Sequence, residues 1–344
     1  MRDSDDRPVL RAWRELAVTD IIYKAIAFAL LTPLITVLFR LLVRRSGSTA
    51  VADADIALFF FTTKSGSLAL ILIGGLIIAV IALEQACLMT IVLAALRGAH
   101  PRVRDAFAHA SKRSFAVLRA TAQIVVRVLV IVVPFAAAIG ATYWALLSGH
   151  DINFYLTNRP PEFLAAVAIA GLIALGLGVV LVRTTLSWLL VLPLVVFENV
   201  LPIRAFAESK LRMNGHRKTA ASLLVPWAAL AVGLPIAVTW ALQLIGRAIA
   251  PAASGSVAAL LVFVGGLAVV WGAASLAVGI AVAAGFALLV VRVYVDEGGA
   301  AQVKLPERYR DELTVEGHRW RVSIPPSGRF WSPRSFLPPG LPTF

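Results

Sequence analysis

Residues 68–96 read LALILIGGLIIAVIALEQACLMTIVLAAL, and this stretch decides the fold. Its only charged residue is Glu84, in a run longer than the ~20 apolar residues that cross the hydrocarbon core of a bilayer. Five further segments share this character, at about 21–43, 122–147, 163–197, 220–246 and 256–294. The first contains Pro33, which neighbouring helices accommodate inside a membrane. The expected fold class is therefore all-α: a polytopic integral membrane helical bundle of about six transmembrane helices, with seven or eight as the alternative. The alternative arises from 256–294, which holds no charge before Arg292. One straight helix of that length would be about 58 Å long, against a hydrocarbon core of about 30 Å. It must protrude, tilt, or break near Gly265-Gly266 or Trp271-Gly272.

Composition supports the same reading. Of 344 residues, 59% are hydrophobic and only 15% charged, whereas soluble domains carry about 25% charged residues. Mean hydropathy is +0.85. The formal net charge of +13 comes from 32 Lys and Arg against 19 Asp and Glu. Those charges lie in short runs between apolar segments, as in loops that face anionic lipid, and no nucleic-acid partner is expected. The lone Cys87 sits in an apolar run and reads as a small buried hydrophobe. The opening MRDSDDRPVLRAWRELAVTD is too polar and too mixed in charge for a signal peptide. Three parts follow: residues 1–20 as a cytoplasmic N-terminal segment, 21–295 as the helical membrane domain, and 296–344 as a polar, Pro-rich tail that reads as disordered.

Orientation follows from the basic loops. Loop 97–119 carries Arg97, Arg102, Arg104, Lys112, Arg113 and Arg119, and loop 198–218 carries Arg204, Lys210, Arg212, Arg217 and Lys218. Loops 148–162 and 247–256 hold only Arg159 and Arg247. The chain is thus expected in the cell membrane as a multi-pass protein with both termini cytoplasmic. Arg40, Arg44 and Arg45 run against the rule, unless they snorkel. The two basic loops resemble one another. Pro101-Arg102-Val103-Arg104-Asp105-Ala106-Phe107-Ala108 parallels Pro202-Ile203-Arg204-Ala205-Phe206-Ala207, and each is followed by Ser-Lys, which suggests an internal duplication. In the first loop Phe107, Ser111, Ser114, Phe115 and Leu118 recur at helical spacing, which predicts an amphipathic helix in the headgroup plane.

Charges within spans are costly and mark candidate sites. Glu84 and Arg183 each lie roughly 20 Å above the inner face. They are expected to pair across a helix interface, either to fix helix register or to form a polar binding or transport site. Arg127 lies nearer an inner end and is expected to snorkel. The five histidines lack metal-ligand spacing, and no H-E-x-x-H, G-x-S-x-G or P-loop occurs. No catalytic residue, metal ligand or cofactor is expected. The most distinctive loop is 150–163, HDINFYLTNRPPEF. His150, Asp151, Asn153 and Tyr155 are its candidate binding residues. Pro160-Pro161-Glu162 places a proline and an acid where a helix starts.

That loop resembles the hallmark loop of the membrane domain of bacterial glycerophosphoryl diester phosphodiesterases. The segment from Tyr23 to Leu41, with Leu31-Thr32-Pro33-Leu34, and the loop from Glu198 to Phe206 are similar to it as well. The resemblance covers roughly residues 10–300. It implies a helical domain that accompanies a catalytic barrel, in which divalent metal and histidines hydrolyse glycerophosphodiesters. Here His318-Arg319 is followed by Trp320 where the barrel's motif needs glycine, and no Pro-Glu-Asn-Thr stretch follows. Too little chain follows for a barrel of roughly 250 residues. The barrel is therefore expected to have been lost, by a frame change near Arg319. The resemblance implies a non-catalytic membrane domain that anchors or positions glycerophosphodiester phosphodiesterase activity and presents lipid-derived substrate. Its partners would be the bilayer, anionic headgroups at the basic loops, and a phosphodiesterase catalytic domain or partner enzyme. A small-solute or lipid transporter, and a truncated phosphodiesterase, are the alternatives.

Overall fold

The computed structural model describes residues 11–46, 59–60, 63–149, 152–253 and 256–299. The tail from 300 onward, with His318, lies outside the described residues. Among the described residues the chain is all-helical. The helices are α1 (Trp13–Ser46), α2 (Lys64–Leu96), α3 (Val103–Leu147), α4 (Ile152–Asn158) and α5 (Pro161–Trp188), then α6 (Val191–Phe197), α7 (Pro202–Arg212), α8 (Arg217–Ala253) and α9 (Val257–Asp296). Six of these segments are long and apolar enough to cross a membrane, with α5 and α6 counted together. The protein is a multi-pass helical membrane protein.

The helices begin where local chemistry lets them. Thr63 caps α2, its hydroxyl accepting from the Gly66 N–H at 3.0 Å. Ser256 does the same for α9 through the Ala259 N–H at 3.0 Å. α5 opens on Pro161 with Glu162 in its first turn, as the sequence led us to expect. α2 stops at Gly98, whose φ of +79° only glycine adopts without strain.

The two longest helices, α3 and α9, run well past the length a membrane requires. The apolar segment 256–294 forms the single helix α9, about 60 Å long, unbroken at either glycine site. In lipid, an interrupted helix would expose backbone groups that nothing satisfies. The excess length enters a packed core, where Ala287, Val290, Val291 and Tyr294 are buried. The amphipathic stretch expected to lie in the headgroup plane instead runs without a break into the third span as α3. Its buried face is Ala106, Ala110, Val117 and Ala120, while Phe115 is 78% exposed. Small side chains admit a close neighbour, so the helix turns those inward and leaves the bulky ones out. α1 also starts earlier than its expected span, at Trp13.

The core gathers at one end of the bundle. It takes the first turns of α1 and α3, the last of α2 and α9, all of α6 and one face of α7, with Leu88, Ile91, Leu190, Leu194 and Tyr294 at its centre. Elsewhere the long helices expose apolar side chains such as Leu72, Val130, Leu172 and Val232. Such a surface is stable only against lipid.

A polar network closes the packed end. Arg212 grips Glu198 with both terminal nitrogens, Nη1 to Oε1 at 2.6 Å and Nη2 to Oε2 at 2.8 Å, and its Nε donates to Glu208 at 3.1 Å. Donating to the Glu198 carboxylate raises the Arg212 pKa further, so the pair keeps its charge. The Tyr294 hydroxyl lies 2.9 Å from Glu198 Oε1 and 3.0 Å from the Gly299 carbonyl, so its proton serves one at a time. Gly299 must be glycine, because a Cβ there would stand 2.3 Å from the Tyr294 ring. The Glu198 side chain is only 5% exposed. Glu198→Ala should therefore cost about 1–3 kcal/mol by removing the two short bonds of Arg212 and the Tyr294 acceptor, leaving only Glu208, seen as a lower unfolding temperature in detergent. Adding Arg212→Met should restore part of that loss.

Candidate functional site

α1 and α2 run side by side, and on α1 the four-residue spacing puts Asp20 and Lys24 on one face. These two form an ion pair. Asp20 is fully buried and Glu84, 9% exposed, packs its carboxyl against Asp20 with Lys24 beside it. Gly279 of α9 makes room: a Cβ there would lie 3.2 Å from Lys24 Nζ. Gln85 ties the same corner to α9 by donating to the Ala283 carbonyl at 3.4 Å. One turn further, the Tyr23 hydroxyl meets Cys87 Sγ at 3.2 Å, and the Tyr23 ring stacks on Phe107 at 5.1 Å. Cys87 is wholly buried.

The structure does not bring Glu84 and Arg183 together. Arg183 is exposed on α5 and lines a groove with Arg217 and Lys218 of α8. Equal depth along two helices is a weak guide to contact, because it leaves their rotation and neighbours undetermined. Glu84 finds its cation on α1, which packs directly on α2. Asp20 and Lys24 lie on either side of the boundary between residues 1–20, read as a cytoplasmic segment, and the first span, so neither was weighed as an intramembrane charge. The signal was their i, i+4 spacing between apolar residues.

Arg127 lies over the face of Phe206 at 3.6 Å and near Trp188 at 5.8 Å, held by cation–π attraction. His109 Nε2 lies 3.3 Å from the Val196 carbonyl, and Arg113 bonds to Asn199, so the start of α3 clasps the α6–α7 connection. The two similar basic loops therefore touch. Each places an alanine, Ala106 or Ala205, at zero exposure in the shared core.

The loop before α5 folds into the short helix α4. Tyr155 is buried there, stacked on Phe163 at 6.2 Å and edge-on to Phe154 at 5.6 Å. Arg159, with φ of 44°, turns the chain sharply into α5. Asn153 lies in α4. His150 and Asp151 lie outside the described residues. Among the described residues no three His, Cys, Asp or Glu side chains gather as a metal site.

A bundle of long apolar helices, packed at one end around buried charges, defines the class: an α-helical, multi-pass membrane domain. A model for the membrane domain of glycerophosphoryl diester phosphodiesterase matches residues 7–314, and the chain belongs to that family. No curated protein and no solved structure matches it.

The Asp20–Lys24–Glu84 cluster sets two buried acids against one base, Lys24, whose side chain is partly exposed. Lys24→Met should lower the unfolding temperature in detergent by leaving both carboxyls uncompensated. Adding Asp20→Asn and Glu84→Gln should recover most of it. A lone effect of Lys24→Met on stability that the added changes fail to relieve would sink this account.

Proposed function

We propose that this chain is a non-catalytic membrane domain that anchors and positions glycerophosphodiester phosphodiesterase activity at the cell membrane. The observation that carries the reading is the family match over residues 7–314. The shape of the bundle supports it. The packed end gathers the basic turns, helix α7 and the end of α9 into one charged platform, with Arg204 and Lys210 exposed. A catalytic domain or partner enzyme would sit against that platform, close to the headgroups that supply its substrates. Loop basicity puts the platform, and both termini, on the cytoplasmic side, where anionic headgroups meet the same cations.

A transporter reading has less support, because the intramembrane acid Glu84 is packed against α1. His150, Asp151, Asn153 and Tyr155 stay as a proposed binding loop on the opposite face. Buried Tyr155 there acts chiefly as an aromatic support for the others.

Two measurements test the proposal. Cells lacking the gene should lose membrane-bound glycerophosphodiester hydrolysis to the soluble fraction, while the purified chain with divalent metal should turn over no glycerophosphocholine. An unchanged distribution would overturn the anchoring role, and turnover that tracks with the chain would overturn the non-catalytic one. For orientation, a membrane-impermeant maleimide added to intact cells should label Asn158→Cys and spare Lys112→Cys, both exposed positions. Buried Cys87 leaves no background. Labelling of Lys112→Cys alone would invert the topology.

A further inference from the structure

Between α5 and α8 runs a groove of about 680 Å³. Its wall on α5 is apolar, with Leu175, Val179 and Val182 exposed. The groove is open at Gly178, where a Cβ would meet nothing within 4 Å. At one end Arg183, Arg217 and Lys218 line the same groove. None of the three forms an ion pair among the described residues. The Nε of Arg217 is buried without a hydrogen-bond partner. An unpaired buried donor on a cation calls for an acceptor.

We infer that this groove binds one anionic phospholipid, its phosphate held by Arg183, Arg217 and Lys218 and an acyl chain laid along Leu175, Val179 and Val182. Charge selects the occupant. Three like charges repel one another until an anion sits among them, and a phosphate offers several acceptors to guanidinium forks. The dimensions agree. From Ala174 to Leu186 the groove rises about 18 Å along α5, close to one leaflet of a core about 30 Å thick. The apolar wall excludes a soluble anion as the preferred ligand, because its exposed valines and leucines gain from a hydrocarbon chain and not from water. The site uses only this chain's own residues, so it stands whether or not a phosphodiesterase docks on the platform.

The test is native mass spectrometry of the purified full chain in a neutral detergent, with added dioleoyl phosphatidylglycerol or dioleoyl phosphatidylcholine. The wild type should retain phosphatidylglycerol at least tenfold more tightly than phosphatidylcholine. The triple variant R183Q/R217Q/K218Q should lose that preference. Gly178→Leu, which fills the groove and leaves every charge in place, should weaken retention of phosphatidylglycerol several-fold. R11Q/R14Q/K64Q removes the same charge from the start of α1, the residues just before it and the start of α2, outside the groove, and should retain the lipid as the wild type does. Helix content by circular dichroism confirms that each variant is folded. Equal retention by wild type and groove variants would overturn the site. Equal loss in R11Q/R14Q/K64Q would reduce it to diffuse surface charge, and glycerol 3-phosphate binding as tightly as the lipid would remove the lipid as occupant.

Discussion

Apolar helices in lipid lack the force that folds soluble bundles, because the hydrocarbon around them is as apolar as their own side chains. What holds this protein together must therefore act where the helices leave the hydrocarbon or where polar groups must be satisfied. The chain does both at one end. α3 and α9 run far past the length a bilayer demands, and their surplus turns pack with α6 and α7 into a core like that of a soluble domain. Glu198 and Arg212 lock that core to Tyr294 of α9. The remaining lengths of helix then need little contact among themselves, and they expose leucine and valine to lipid.

This arrangement explains why α6 exists. A span that ended at Trp188 would stop at the rim of the core. The turn at Leu189 and Leu190 instead redirects the chain, so that α6 is buried along nearly its whole length. Ser209 of α7 fastens that turn, donating to the Ser187 carbonyl at 2.8 Å and accepting from the Leu190 N–H at 3.2 Å. The backbone groups freed by the break are thus satisfied inside protein, which is where a membrane protein tolerates one.

The spans were legible in the sequence because hydropathy integrates over many residues: five of the six apolar runs became one helix each, and the run at 163–197 became α5 and α6. Helix starts at Pro161 and the loop chemistry around it were legible for local reasons. Rotation was not. The stripe through Phe115 and Leu118 read as the apolar face of a helix lying in the headgroup plane, yet that helix runs on into the third span, with alanines on another face packed inward and Phe115 exposed. Hydrophobicity loses its power to tell inside from outside when the outside is lipid, and side-chain size takes over. The same failure misplaced Glu84. Its depth was readable, but the neighbour that compensates it depended on which helix packed alongside. The similarity of the two basic loops fared better, since both deliver a buried alanine and an adjacent phenylalanine to one core.

Two clusters of charge sit along these helices, and their signs distinguish what they do. Asp20, Lys24 and Glu84 mix signs and lie close together, with Lys24 paired to Asp20 within the protein, although Asp20 Oδ1 has no hydrogen-bond partner. Such a cluster fixes how α1 and α2 meet. Arg183, Arg217 and Lys218 share one sign, open onto an apolar groove, and leave a buried donor unmet. A group of that kind contributes nothing to packing and costs free energy until an anion arrives. The intramembrane acid of the second span therefore belongs to the architecture of the bundle. The cations at the α5–α8 groove, Arg183 expected as the partner of Glu84 and Arg217 and Lys218 counted only for orientation, instead line one apolar groove that suits an anionic ligand.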